Sequence, residues 1–223
     1  MSRGEIDPGL ARVTAALARL GSPERKLRGR CLHVAGTNGK GSVCAMMFSV
    51  LRQAQLRAGL FTSPHLLAPS DSVRLAERGT DRGFSAHEWR AAEEEAAAAC
   101  GLNQDSDTRI PLTVFELQVV TTLLLFAKYE VDVAVIEVGM GGREDATNVL
   151  IEPAACGISS IALDHEKFLG PTEEDIARHK AGIFQKERPA FVSTDLMSDS
   201  VREVIAATAR DAGTTPTWVE PAQ

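Results

Sequence analysis

Long apolar runs, an excess of positive charge and closely spaced cysteines are all missing from this chain of 223 residues, and each absence removes a class of function. The most apolar segment, Leu117 to Tyr129, is too short to cross a bilayer and carries Gln118 and Lys128. The N-terminus lacks the basic, then apolar, then small-residue order of a secretory leader, so no membrane role is expected. A formal net charge of −6 offers no basic stripe to a nucleic-acid backbone, and the positive groups that matter must be local. Cys31, Cys44, Cys100 and Cys156 stand far apart with no Cys-x-x-Cys spacing. They read as reduced, mostly buried thiols, and a cytoplasmic location is expected. What remains is an ordinary globular composition, 44% apolar and 24% charged, long enough for one or two domains.

The most informative stretch that is present runs His33-Val34-Ala35-Gly36-Thr37-Asn38-Gly39-Lys40-Gly41-Ser42. An apolar strand candidate at 31–35 enters a glycine-rich turn, and a helical run follows. Glycines let backbone N–H groups approach an anion without Cβ obstruction, and the following helix aims its positive end at the same point. Lys40 adds a mobile charge for outer phosphates, and the Ser42 hydroxyl suits a phosphate oxygen or Mg2+. The fit to the common GxxxxGK[ST] pattern is imperfect. Val34 stands at the first glycine and Gly41 at the hydroxyl, which makes this a variant phosphate loop.

Around that loop the chain alternates strand and helix signals. Asp7-Pro8 fits an N-cap with proline at the first helical position, and Leu10, Val13, Leu17 and Leu20 fall on one face before Gly21. A helix is expected over 42–56 and a short strand over 59–62. The polar, turn-rich stretch 68–83 reads as a mobile substrate-facing loop. Ser85 caps a helix through Cys100, a linker covers 101–107, and 112–129 reads as a buried helix. The β-branched run Val131 to Val138 should be an interior parallel strand that delivers Glu137. A strand at 155–161 delivers Asp164 and His165, the helix after Thr172 carries Lys180, and a strand at 189–193 precedes a helix at 198–212. The expected class is therefore α/β, a parallel sheet flanked by helices on both faces, with ligands gathered beyond the carboxyl ends of the strands.

The segment Gly36 to Ser42 resembles the ATP loop of the Mur ligase superfamily, and the preceding His-Val-Ala narrows the resemblance to the folylpolyglutamate synthase and dihydrofolate synthase family. Four further segments agree in order: Thr62-Ser63-Pro64-His65-Leu66, Thr113-Val114-Phe115-Glu116, Glu137 through Asn148, and Ala162-Leu163-Asp164-His165 with Leu169-Gly170 and Lys180-Ala181-Gly182-Ile183. The resemblance implies a P-loop NTPase-like fold of the Mur ligase central-domain type. It also implies an ADP-forming ligase in which a pteroate or folate carboxylate takes the γ-phosphate of MgATP and L-glutamate's amine then displaces phosphate. Family members carry a further C-terminal domain that contributes to glutamate binding. Residues 1–223 therefore read as an incomplete ATP- and folate-binding domain, expected to be a monomer with little turnover alone. A P-loop kinase or NTPase of another family, or a non-catalytic nucleotide- or pterin-binding module, stay open as alternatives.

The resemblance assigns the nucleotide loop to Gly36, Thr37, Asn38, Gly39, Lys40, Gly41 and Ser42. Glu137, at the end of an apolar strand, could pair with Arg143 or hold Mg2+; the resemblance supports the metal and adds Ser63 to it. It makes His165 a ligand of a second Mg2+, with Asp164 orienting the ring, although Glu166-Lys167 stands where the family has Thr-Asp. Lys180 alone would read as a solvated helix lysine. In the family this lysine is carboxylated by CO2 into an anionic metal ligand, which requires a desolvated amine; His179 replaces an acidic residue common just before it. Gly9, Leu10, Ala11, Arg12, His65, Thr113, Val114, Phe115, Glu116, Glu144, Asp145 and Ala146 match segments lining the pterin pocket. Phe115 can offer an aromatic face there or simply pack in the core, and Asp145 an acceptor for an amino-pyrimidine edge. The stretch 68–74 departs from the family's Arg-x-x-Glu-Arg pattern, which leaves the acceptor, dihydropteroate or folate, open.

Overall fold

The computed structural model describes residues 9–102, 108–195 and 197–220. Its organising strand is β5 (Val133–Glu137), whose Ala134, Val135 and Ile136 are fully enclosed, as a β-branched apolar run dictates. Strands β1 (Cys31–Ala35) and β2 (Ala58–Phe61) pair with it in parallel on either side. Beyond β1 the parallel ladder continues through β6 (Ala155–Ile158), β7 (Ala190–Ser193) and β8 (Pro216–Val219). Beyond β2 lie β3 (Val73–Glu77) and β4 (Thr80–Gly83), both antiparallel to their neighbours, giving the order β4-β3-β2-β5-β1-β6-β7-β8.

Period-two alternation sends neighbouring side chains of β1 to opposite faces. On one face Val34 packs with Leu60, Val135 and the Cys44 and Phe48 side chains of α2 (Lys40–Gln53). On the other, Cys31 joins the core under α1 (Ala11–Arg19), α3 (Ala86–Ala99) and α4 (Val114–Lys128). Ala35 joins the core under α6 (Glu173–Ala181) and α7 (Asp199–Asp211). One short helix, α5 (Glu166–Leu169), precedes α6. Gly59 is required where α4 crosses β2, because a Cβ there would come within 2.7 Å of the Phe126 ring. Helices α3 and α4 start at capping boxes, Ser85 with Glu88 and Thr113 with Glu116, which satisfy otherwise orphan N–H groups.

The α/β class with helices on both faces holds, with one correction to the all-parallel sheet. The stretch 68–83 is not a loop: a 3-10 turn (Pro69–Ser72) leads into the β3–β4 hairpin. Val73 and Leu75 are buried on one face while Arg74 between them is exposed, a two-residue alternation that the surrounding turn residues masked. Arg78 and Gly79, at φ +51° and +80°, make the tight connection. Strand β8 was also not expected. The helix expected from Asp7-Pro8 is present from Ala11, while that dipeptide and positions 103–107 of the expected linker lie outside the described residues. All four cysteines are free and buried. Among the described residues no helix is long and apolar enough to cross a membrane.

Candidate functional site

At the carboxyl end of β1 the chain enters the glycine loop, and the segment after β6 braces it. Gly36, at φ +149°, leaves no room for a side chain: a Cβ would lie 2.0 Å from Ser159 Oγ. Thr37 N–H donates to Ser160 O at 2.9 Å and Asn38 N–H to Ser160 Oγ at 2.9 Å. Ser159 Oγ–H donates to Asn38 O at 2.7 Å, and Thr37 Oγ1–H to Ala162 O at 3.0 Å. Gly39, left-handed at φ +81°, then turns the chain into α2, whose first residue is Lys40. With the Thr37 and Asn38 N–H groups engaged by Ser160, the N–H groups of the first turn of α2 are those left facing this corner, the arrangement that favours an anion.

Two lysines converge on one carbonyl of this loop. Lys40 Nζ donates to Gly36 O at 3.0 Å and to Thr37 O at 3.1 Å. Lys180, on α6, is 2% exposed and its Nζ donates to the same Gly36 O at 2.7 Å. Burial, and then the Lys40 charge, push the Lys180 ammonium down to about 8, against the pull of Asp164 and Asp145. Lys180 is therefore not the solvated helix lysine that its sequence context alone would suggest. Glu137, at the end of β5, is buried, and its Oε2 accepts the Ser63 N–H at 3.2 Å. Its carboxyl is raised by burial, with the Ser63 N–H and Lys40 opposing. A Cβ on Gly41 would lie only 3.5 Å from the same oxygen, so the carboxylate sits against the first turn of α2. Among the described residues Glu137 forms no ion pair with Arg143.

A second group of expected residues meets beside the glycine turn after β5. A Cβ on Gly139 would come within 2.4 Å of the Phe115 ring and 3.0 Å of Asp145 Oδ2, so only glycine lets the aromatic ring and the carboxylate close over that backbone. Phe115 is half-buried and also tilts against Phe61, ring centroids 6.2 Å apart. Asp145 is buried and accepts Met140 N–H at 2.8 Å and Thr147 N–H at 3.0 Å; burial raises its carboxyl, and these donors oppose the rise. Ala146 follows it into a 3-10 turn (Ala146–Val149).

Other expected residues stand apart or are engaged elsewhere. Arg12 pairs with the buried Glu116, Nη2 to Oε1 at 2.9 Å, and Glu116 also accepts the Thr113 N–H at 2.7 Å. Both are thus tied into the α1–α4 packing. Ala11, His65, Val114 and Glu144 are exposed, Gly9 and Leu10 half-buried. His165, at φ +49°, is exposed, with Nε2 3.6 Å from Asp164 Oδ1, a distance for an electrostatic contact rather than a hydrogen bond. Among the described residues no group of three or more His, Cys, Asp or Glu forms a ready metal cage. Sequence reasoning did not mark Ser159 and Ser160, which brace the loop; a serine pair directly after a strand that borders β1 was the available signal.

The fold and loop together define a class, an α/β domain of the Mur ligase central-domain type with a variant nucleotide loop at the carboxyl end of its sheet. Over the residues it spans, the chain is similar to the N-terminal part of proteins named dihydrofolate synthase/folylpolyglutamate synthase. It is 41% identical over 199 residues to the dihydrofolate synthase/folylpolyglutamate synthase of Escherichia coli, covering 89% of this chain and 44% of that protein. It is 42% identical over 190 residues to a probable dihydrofolate synthetase of Schizosaccharomyces pombe, covering 84% and 42%. The solved structure of E. coli FolC in complex with DHPP and ADP superposes with a TM-score of 0.81 at 37% identity, covering 97% of this chain and 48% of that one. No family model matches the chain. The chain spans less than half the length of these relatives.

Proposed function

We propose that this chain forms the nucleotide- and pterin-acid-binding half of an ATP-dependent, ADP-forming ligase that joins L-glutamate to a pteroate or folate carboxylate through an acyl phosphate, acting as a monomer in the cytoplasm. The observation that carries the reading is the meeting of Lys40 and Lys180 on the Gly36 carbonyl, with Glu137 at the end of β5 against the first turn of α2. The FolC complex with DHPP and ADP supports both ligands.

In this reading Gly36 to Ser42 wrap the phosphate tail, and Lys40 exchanges its two carbonyl acceptors for phosphate oxygens as ATP arrives. The nucleophile is already a carboxylate and needs no base, so the residues act mainly by positioning and by charge. Phe115 offers a ring face to a flat heterocycle, and Asp145 presents a carboxylate edge beside it. Glu137 fits Mg2+ well: a buried carboxylate with one N–H partner, beside the loop, is the donor that a cation sharing its shell with phosphate and water would use. Ser63 stands next to it. The exposed His165 with Asp164 fits a second Mg2+ only together with other ligands, and burial of Lys180 supports its carboxylation as one of them. Bound Mg2+ would neutralise charge on the transferred phosphoryl group. ADP release from MgATP tests the reading. It should require a pterin-type acid, dihydropteroate or tetrahydrofolate, and respond to L-glutamate; release indifferent to both would point to an unrelated NTPase.

A further inference from the structure

His33 is enclosed on β1, completely shielded from solvent, and none of the roles above uses it. Its Nε2 lies 2.9 Å from Thr147 Oγ1, and Thr147 Oγ1 lies 2.5 Å from Asp145 Oδ1. Three polar side chains from two distant parts of the sequence therefore form a single file, leading from the strand that feeds the nucleotide loop to the carboxylate beside Phe115. Among the described residues Nδ1 of His33 has no hydrogen-bond partner.

The direction of the file follows from counting protons. Asp145 Oδ1 already accepts the Thr147 N–H at 3.0 Å and Oδ2 the Met140 N–H at 2.8 Å, so its environment is one of donors. The Thr147 hydroxyl has one proton and gives it to Oδ1. Its oxygen must then accept, so His33 carries its proton on Nε2 and leaves Nδ1 as a bare lone pair. The reverse arrangement would bury an unpaired N–H donor at Nδ1, and such orphans are rarer than orphan acceptors. Burial also pushes His33 down to about 3, which keeps the ring neutral across the physiological range.

We propose that His33 and Thr147 are positioning residues for the acid-binding side of the site: the donor chain His33 Nε2–H to Thr147 Oγ1–H to Asp145 Oδ1 fixes the carboxylate, and with it the Gly139–Met140 turn under Phe115. The inference rests on the reading of that wall as the pterin-acid contact. It assigns recognition of the pterin acid, rather than of the nucleotide, to a histidine that touches neither. Losing the middle hydroxyl leaves His33 without an acceptor and Asp145 held by backbone N–H donors alone.

The test uses the intact chain and two substitutions at one position. Thr147→Val keeps the shape and removes the hydroxyl, whereas Thr147→Ser keeps the hydroxyl. Dihydropteroate affinity should fall about tenfold or more in Thr147→Val, the scale of a lost hydrogen bond to a charged group, and recover in Thr147→Ser. Affinity for Mg-AMPPCP should change less than about twofold in both, since no member of the file touches the loop. Parallel losses for both ligands, or a Thr147→Ser protein as impaired as Thr147→Val, would overturn the positioning role. Imidazole 15N shifts of the wild-type chain provide a ligand-free check. A neutral His33 protonated at Nε2 supports the donor chain, and protonation at Nδ1 or ordinary titration near neutral pH overturns it. If the wild-type chain takes nucleotide but no dihydropteroate, the substrate reading fails, and the donor chain stands or falls on the tautomer alone.

Discussion

Replacing Lys180 by methionine should make the protein more stable at neutral pH. The ammonium is 2% exposed, and its proton is released near pH 8 in the folded chain against 10.5 in water. A difference of that size corresponds to roughly 3 kcal/mol of unfavourable charge burial below pH 8. Methionine has a similar length and no charge, and the Gly36 carbonyl that Lys180 leaves keeps its Lys40 donor at 3.0 Å. After allowance for the lost hydrogen bond, a gain of about 1–3 kcal/mol is expected at pH 7. In a domain of this size each kcal/mol raises the midpoint by about 2–4 °C. The sign with pH is a stronger check. Between pH 8 and 10.5 the unfolded chain still holds the proton that the folded chain has released, so wild-type stability gains from this group as pH rises. The advantage of Lys180→Met should therefore shrink between pH 7 and pH 9.5. Thermal unfolding of both proteins at the two pH values measures it. A variant less stable than wild type at pH 7, or an advantage that does not shrink, would refute the claim that Lys180 is held at an energetic cost.

Three further substitutions probe other parts of the site. Lys40→Ala should abolish measurable MgATP binding with an unchanged far-UV circular dichroism spectrum, because it removes the loop's mobile cation. Glu137→Gln keeps the shape and loses the charge, so isothermal titration should show a large loss of nucleotide affinity with Mg2+ and a small one in EDTA; equal losses would mean a structural role. Gly142→Ala would drive a Cβ to 2.6 Å from His179 O and 2.9 Å from Lys180 O, both backbone atoms. It should destabilise by about 2–4 kcal/mol in denaturant unfolding, through displacement of α6.

The parts of this molecule that were legible in the sequence are those governed by local rules. The glycine loop, the Ser85-capped start of α3 and the apolar run of β5 each carry their signal within a few residues. The β3–β4 hairpin was obscured because its turn residues are dense and its strands short, so alternation at Val73, Arg74 and Leu75 had little length in which to show. Glu137 was legible as a buried carboxylate and the resemblance set Ser63 beside it, but the contacts themselves were not legible: the Ser63 N–H and Gly41 reach it through sheet register and helix placement. Lys180 shows the limit most clearly. Its helix is polar and its neighbours Arg178 and His179 are more accessible, and only the packing of α6 against β6 and the Gly36 turn decides that this lysine alone is enclosed. The His33–Thr147–Asp145 file likewise joins residues more than a hundred positions apart, a relation that no local pattern encodes.

The central claim is that one chain carries a nucleotide loop and a pterin-acid wall that work together, and calorimetric titration of dihydropteroate into the chain in the presence of saturating Mg-AMPPCP tests it most directly. Saturable binding at one site per chain, lost in Phe115→Ala while Mg-AMPPCP affinity is retained, is the expected result. Absence of dihydropteroate binding by a chain that holds Mg-AMPPCP would contradict the account.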